Sequence, residues 1–160
     1  MLAVREYEER PVPDATVRRI VEAGRLTASS MNRQPWHFVV VQDRAALREI
    51  AKLAGSGPYI AQAALAVVVA IEKKSKFAVS DASRAVQSMM LAAWDDGVGS
   101  NWVGFAPMDG VREFLGIPDE LDVLTVVPFG YPAVRAGAGK KRRKPLGEVA
   151  HRERFGEPFA

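Results

Sequence analysis

The apolar positions of this 160-residue chain alternate between helical and strand spacing. Val17, Ile20, Val21 and Gly24 recur at i, i+3, i+4, i+7, which predicts a helix over 14–26 with Asp14 placed to cap it. Thr27 to Pro35 breaks that rhythm with turn-forming polar residues and predicts a loop. The β-branched run Phe38 to Val41 predicts a buried strand. Asp43 follows as the cap of a second helix, whose apolar face is Leu47, Ile50, Ala51 and Ala54; Gly55-Ser56-Gly57-Pro58 ends it. Leu65 to Ile71 has no polar position and predicts a strand buried on both faces. Glu72 closes it, with Lys73, Lys74 and Lys76 in a solvated loop. Asp81 opens a long helix through Ala82, Ala85, Val86, Met89, Met90 and Ala93, ending near Asp96-Gly97. Trp102 to Phe105 reads as a short strand or loop, and Met108 to Leu115 as a helix stopped by Gly116 and Pro118. Val123 to Phe129 is a last strand whose end Pro128 places at an edge, and a short helix is expected around Leu146 to His151. Helices alternating with buried strands predict a sheet covered by helices.

Length and composition narrow the class. At 48% hydrophobic and 26% charged, 1–160 reads as a single globular domain. The absence of cysteine excludes disulfides, thiolate catalysis and thiolate-held metals. The longest apolar run, Ala63 to Ile71, is too short to span a bilayer. Nor does the N-terminal stretch read as a signal peptide, so a cytoplasmic protein is expected. The formal charge of +3 is misleading. Arg135, Lys140, Lys141, Arg142, Arg143 and Lys144 fall within ten residues that hold no acid, and without those six the charge is −3. The basicity is thus confined to a C-terminal extension over 135–160, which suits one bound anion better than a nucleic-acid surface.

Most motifs that carry chemistry are missing. Gly137-Ala138-Gly139-Lys140-Lys141 lacks the Ser or Thr of a phosphate loop. Gly97 and Gly99 follow a helix and have no third glycine in register, so the dinucleotide fingerprint is absent. His37 and His151 have no carboxylates at metal-binding spacing, and no serine sits on a strand-to-helix elbow. One polar loop and one basic segment remain, with no evident nucleophile. Either the loop is an ordinary helix-to-strand turn, or its amides and hydroxyls read the edge of a flat heterocycle in an enzyme whose chemistry a cofactor carries.

Ser29-Ser30-Met31-Asn32-Arg33-Gln34-Pro35-Trp36-His37-Phe38 resembles the Ser-x-x-Asn-x-Gln-Pro-Trp-x-Phe signature of the nitroreductase family of FMN-dependent flavoenzymes. Three more segments agree in order. Val4-Arg5-Glu6-Tyr7 with Pro11-Val12-Pro13 resembles the family's opening. Gly97-Val98-Gly99-Ser100-Asn101-Trp102-Val103-Gly104 is similar to its Gly-Leu-Gly-Ser-x-Trp-Ile-Gly element. Gly130-Tyr131-Pro132, then Lys141 to Leu146, resembles its close. The resemblance implies an α+β fold, a three-layer sandwich with a central, mainly antiparallel sheet between helices. It implies a homodimer with FMN at the interface and C-terminal extensions that embrace the partner.

Carried over by position, the resemblance gives Arg5, Lys141 and Arg143 to the FMN phosphate, whose charge near −2 suits two or three cations. Ser29, Ser30 and Asn32 would reach the flavin of the partner's site, with Gln34 on its polar edge. Trp102, Val103 and Gly104 would lie beside the ring, one of their backbone N–H groups facing N5. No residue is assigned as catalytic and no metal is expected; Trp36 is read as core packing. The chain departs from the pattern at Met1 and Ala3, where the family has an Arg and a Ser, and at Gly57-Pro58-Tyr59, where it often has a Lys or Asn near the pyrimidine. Arg84 is a candidate for the pocket or a solvated face. The activity implied is ping-pong hydride transfer from NADH or NADPH through FMN to a small electron-poor acceptor, a nitroaromatic or quinone, without nucleic acid or membrane. Flavin binding without turnover is the alternative, and polyanion binding by the basic segment is a remote one.

Overall fold

The computed structural model describes residues 1–104, 106–134 and 142–159. Among them, β1 (Trp36–Val41), β2 (Leu65–Glu72), β3 (Gly99–Ser100) and β4 (Leu121–Gly130) form one antiparallel sheet in the order β1-β2-β4-β3. The helices are α1 (Asp14–Arg25), α2 (Arg44–Leu53), α3 (Ala78–Asp95) and α4 (Asp109–Phe114).

The composition of β2 dictates the layering. Its side chains alternate between two faces, and both are apolar. Leu65, Val67, Val69 and Ile71 meet Ile20 of α1 and Ala82, Val86 and Met89 of α3. Ala66, Val68 and Ala70 meet Leu47 and Ile50 of α2 and Val111 of α4. The result is the expected α+β sandwich, helices on both faces of a central antiparallel sheet. Gly24 allows α1 to lie against α3, since a Cβ there would stand 2.9 Å from Met89 Cγ.

Several local expectations are corrected. Asp14 does not cap α1; Pro13 holds the cap position and Asp14 supplies first-turn negative charge. Asp43 does cap α2, accepting from the N–H of Ala46. β1 starts two residues early and is not a buried strand: it is the sheet's outer edge, with His37 and Val40 exposed. α3 starts at Ala78, so Asp81 lies within its first turn. Lys73, Lys74 and Lys76 are all exposed as expected, and Lys73 also donates to the Asp119 carbonyl at 2.6 Å. Pro128 is inside the sheet, between β2 and β3. It is tolerated because strand alternation turns its nitrogen to the same side as that of Val126, away from β2, so the β2–β4 ladder loses no bond. The expected short C-terminal helix is one 3-10 turn, Leu146–Glu148.

Candidate functional site

The N-terminal strap, residues 3–8, is held by β3 and by the segment that follows β4. Val4 donates to the Ser100 carbonyl, Glu8 to that of Tyr131, and Ala133 to that of Glu6. The Tyr7 hydroxyl, buried beneath, donates to Val4 O at 2.9 Å. Burial pushes the Tyr7 phenol well above its ordinary range, so it stays neutral. Arg5 projects between these anchors, exposed, its guanidinium 5.9 Å from the Tyr59 ring. Tyr59 is itself held by Asn101 Nδ2 at 2.7 Å. Where the family often has a Lys or Asn, this chain therefore places an aromatic ring against Arg5. Ser100 is fully buried, and its hydroxyl has no hydrogen-bond partner among the described residues.

Beyond β3 the chain runs along the open side of β4. Val103 pairs through both its N–H and C=O with Val126, each at 3.0 Å, and is fully buried. Its amide is thus occupied, and its side chain packs on the α2 face of the sheet. Trp102 and Gly104 flank it, half-buried and exposed. A bulge in the β2–β4 ladder skips Leu124. A Cβ on Gly104 would stand 3.2 Å from the Leu124 carbonyl and 2.8 Å from Trp102 Nε1, so a larger residue here would have to displace the Trp102 ring.

The loop before β1 is built differently. Met31, Asn32 and Gln34 all have left-handed backbones, with φ of 51°, 54° and 51°. Such conformations persist in non-glycine residues only where the surroundings over-determine them. Here the Ser29 hydroxyl accepts from the N–H of Gln34 at 2.9 Å, and Gln34 Nε2 donates to Asn32 Oδ1 at 3.2 Å. Asn32 and Gln34 are exposed and Ser29 and Ser30 half-buried, while Trp36 enters the core as expected. Asp81, 1% exposed, accepts from the N–H of Ser30 at 3.0 Å and pairs with the half-exposed Arg84. Sequence reasoning read Asp81 only as a helix start; its tie to Ser30 crosses fifty-one positions and leaves no local signal.

The structure therefore gathers the expected residues into two groups. Arg5, Trp102, Val103 and Gly104 lie along the β3–β4 side of the sheet, and Ser29, Ser30, Asn32 and Gln34 lie in the loop entering β1, the opposite edge. Three strand spacings separate the edges, about 14 Å. Arg143 is exposed in the C-terminal segment, and Lys141 lies outside the described residues. No cluster of acidic and histidine side chains among the described residues could hold a metal, and no described helix is long and apolar enough to cross a membrane. A cavity of about 600 Å³ opens elsewhere, between His37, Val39 and the loop from Leu115 to Leu121.

The model of the nitroreductase family matches residues 3–74 and 55–131. A relative from Archaeoglobus fulgidus, provisionally named NADH dehydrogenase/NAD(P)H nitroreductase, is 38% identical over 139 residues, covering 81% of this chain and 80% of its own. The FMN reductase [NAD(P)H] of Bacillus subtilis is 28% identical over 177 residues, covering 96% and 70%. Among solved structures, an FMN-dependent nitroreductase from Clostridium difficile R20291 superposes with a TM-score of 0.86 at 26% identity, covering 96% of this chain and 95% of its own. With four motifs in order, a matching fold and relatives aligned along most of its length, the chain belongs to the nitroreductase family.

Proposed function

We propose that this chain is an NAD(P)H-dependent oxidoreductase that binds FMN and works as a homodimer, each site combining the β3–β4 side of one copy with the 29–34 loop of the other. The separation of the two residue groups carries this reading: one chain presents two half-sites on opposite edges of one sheet. Two further features support a second copy. β1 is an unprotected edge, and the C-terminal segment exposes Leu146, Val149, Phe155 and Phe159.

The residues present suit FMN. Arg5 and Arg143 form no ion pair among the described residues, which leaves both free for a phosphate. Lys141 is the third cation of this proposal. The carboxamides of Asn32 and Gln34 offer donors and acceptors to a ring edge. Trp102 and Gly104 line the ring, and their backbone N–H groups, unlike that of Val103, are not engaged in the ladder to β4. Bound FMN would supply two-electron chemistry, taking hydride from NADH or NADPH and passing it to an electron-poor acceptor such as a nitroaromatic or quinone. The protein's part is positioning and charge stabilisation.

The test is the visible spectrum of the purified protein, followed by anaerobic addition of NADH and then NADPH. Flavin bands that bleach with either nucleotide are expected. Bands that stay would leave a flavin binder without turnover, and a colourless protein that takes up no FMN would overturn the reading. Sedimentation of the flavin-bound protein should give twice the chain mass of 17.4 kDa.

A further inference from the structure

The buried carboxylate of Asp81 does more than pair within its own helix. The cap position of α3 belongs to Phe77, without a side-chain bond, and the Asp81 carboxylate points instead across the chain. One oxygen takes the backbone N–H of Ser30, and the other takes Arg84 one turn along α3. A carboxylate at 1% exposure is expensive to bury unless it is paired and hydrogen-bonded. Both bonds therefore compensate its burial: the one to Arg84 within α3 balances its charge, and the one to Ser30 ties it to the loop. A second tie lies two turns further on, where the Thr27 hydroxyl donates to Ser88 Oγ at 2.9 Å. The 3-10 turn that presents Asn32 starts at Ser30, so the Asp81 bond fixes the first residue of the strained stretch.

We propose that Asp81 is a positioning residue for the cofactor: through the Ser30 N–H it holds the 30–34 turn, with its left-handed Met31, Asn32 and Gln34, in the form that presents Asn32 and Gln34. This rests on the reading of that loop as half of the FMN site. A turn with three strained residues and exposed side chains relaxes when its anchor is removed, and the cofactor must then order it again on binding.

The experiment compares Asp81→Ala, Asp81→Asn, Ser30→Pro and Asn32→Ala in the full-length protein. The readouts are FMN titration of the cofactor-free form by flavin fluorescence and amide exchange over residues 29–34 before FMN is added. Asp81→Asn keeps an acceptor for Ser30. Ser30→Pro deletes the bonded N–H together with the side-chain hydroxyl, at the first position of the turn, where a missing donor breaks no bond within it, and Ser30→Ala, which deletes the hydroxyl alone, is its control and should keep the parent's affinity to within about threefold. Asp81→Ala and Ser30→Pro should each weaken FMN binding at least about tenfold and speed exchange in the loop while β1 stays protected. Asp81→Asn should restore affinity to within about threefold of the parent. Should Asp81→Ala fail to fold, Ser30→Pro and Asp81→Asn decide alone. Unchanged affinity in Ser30→Pro, beside a clear loss in Asn32→Ala, overturns the role of Asp81 and leaves the loop reading standing. Unchanged affinity in Asn32→Ala as well overturns both.

Discussion

β2 and the loop from Thr27 to Pro35 both lie in the family's matched region, and they obey opposite rules. β2 spends every side chain but Glu72 on burial, and each of its residues is interchangeable with another apolar group of like volume. The loop buries little. It keeps three residues in a conformation they disfavour, exposes two carboxamides and depends on named hydrogen bonds. One segment supplies stability in bulk; the other spends some of it on geometry. Substitutions should therefore separate the two, moving melting temperature in one and cofactor affinity in the other.

The largest stability effect is expected at Leu65, which is fully buried against Phe129 at the start of β2. Leu65→Ala should cost about 2–5 kcal/mol in chemical denaturation, while the protein still folded keeps the parent's affinity for FMN. An affinity loss matching the stability loss would erase the distinction. Asn32→Leu should do the reverse, weakening FMN binding about tenfold with the sedimenting mass unchanged. Normal flavin reduction in that variant would remove Asn32 from the site.

Tyr7 tests a mixed case, buried like β2 but anchoring a site residue. Tyr7→Phe removes the bond to Val4 O and should cost about 1 kcal/mol. It also changes the alkaline limb. Because burial raises the Tyr7 pKa in the folded state, the unfolded chain releases its proton first, and stability falls as pH rises above about 10. The phenylalanine variant should show a shallower fall in melting temperature there. Met31→Gly is the smallest: at φ 51° and largely exposed, it should gain about 1 kcal/mol by relieving strain. A loss would mean that the Met31 side chain has a partner, as it would at a dimer interface.

The same contrast explains what was legible in the sequence. β2, α2 with its Asp43 cap, and the apolar faces of α1 and α3 were plain because burial writes itself as periodicity. β1 was misread as a buried strand because Phe38 to Val41 is apolar on both faces, and composition cannot distinguish a covered strand from an edge awaiting another chain. The FMN reading came from spacing resembling a family, and the four segments carrying it fall on the strap, the loop, the β3–β4 side and the C-terminal close. The contributions of Asp81, Tyr59 and Tyr7 were not legible. Asp81 and Tyr59 act through partners 51 and 42 positions away, and Tyr7 through a bond to Val4 O that forms only in the folded strap; nothing in the local pattern marks any of them.

The strap has a consequence for how the protein is made. Its backbone partners are Ser100, Tyr131 and Ala133, so residues 3–8 leave the ribosome long before anything exists for them to pair with. At about 5–20 residues per second, the delay between Glu8 and Tyr131 is roughly 6–25 s. The central strand pair waits about half as long, since β4 also comes late. Nascent chains shorter than about 130 residues thus carry the apolar β2 without its neighbour β4, and Arg5 without its mooring. The fold closes only once Tyr131 and Ala133 have emerged, and until β4 follows, the most hydrophobic strand has β1 as its sole sheet neighbour among the described strands.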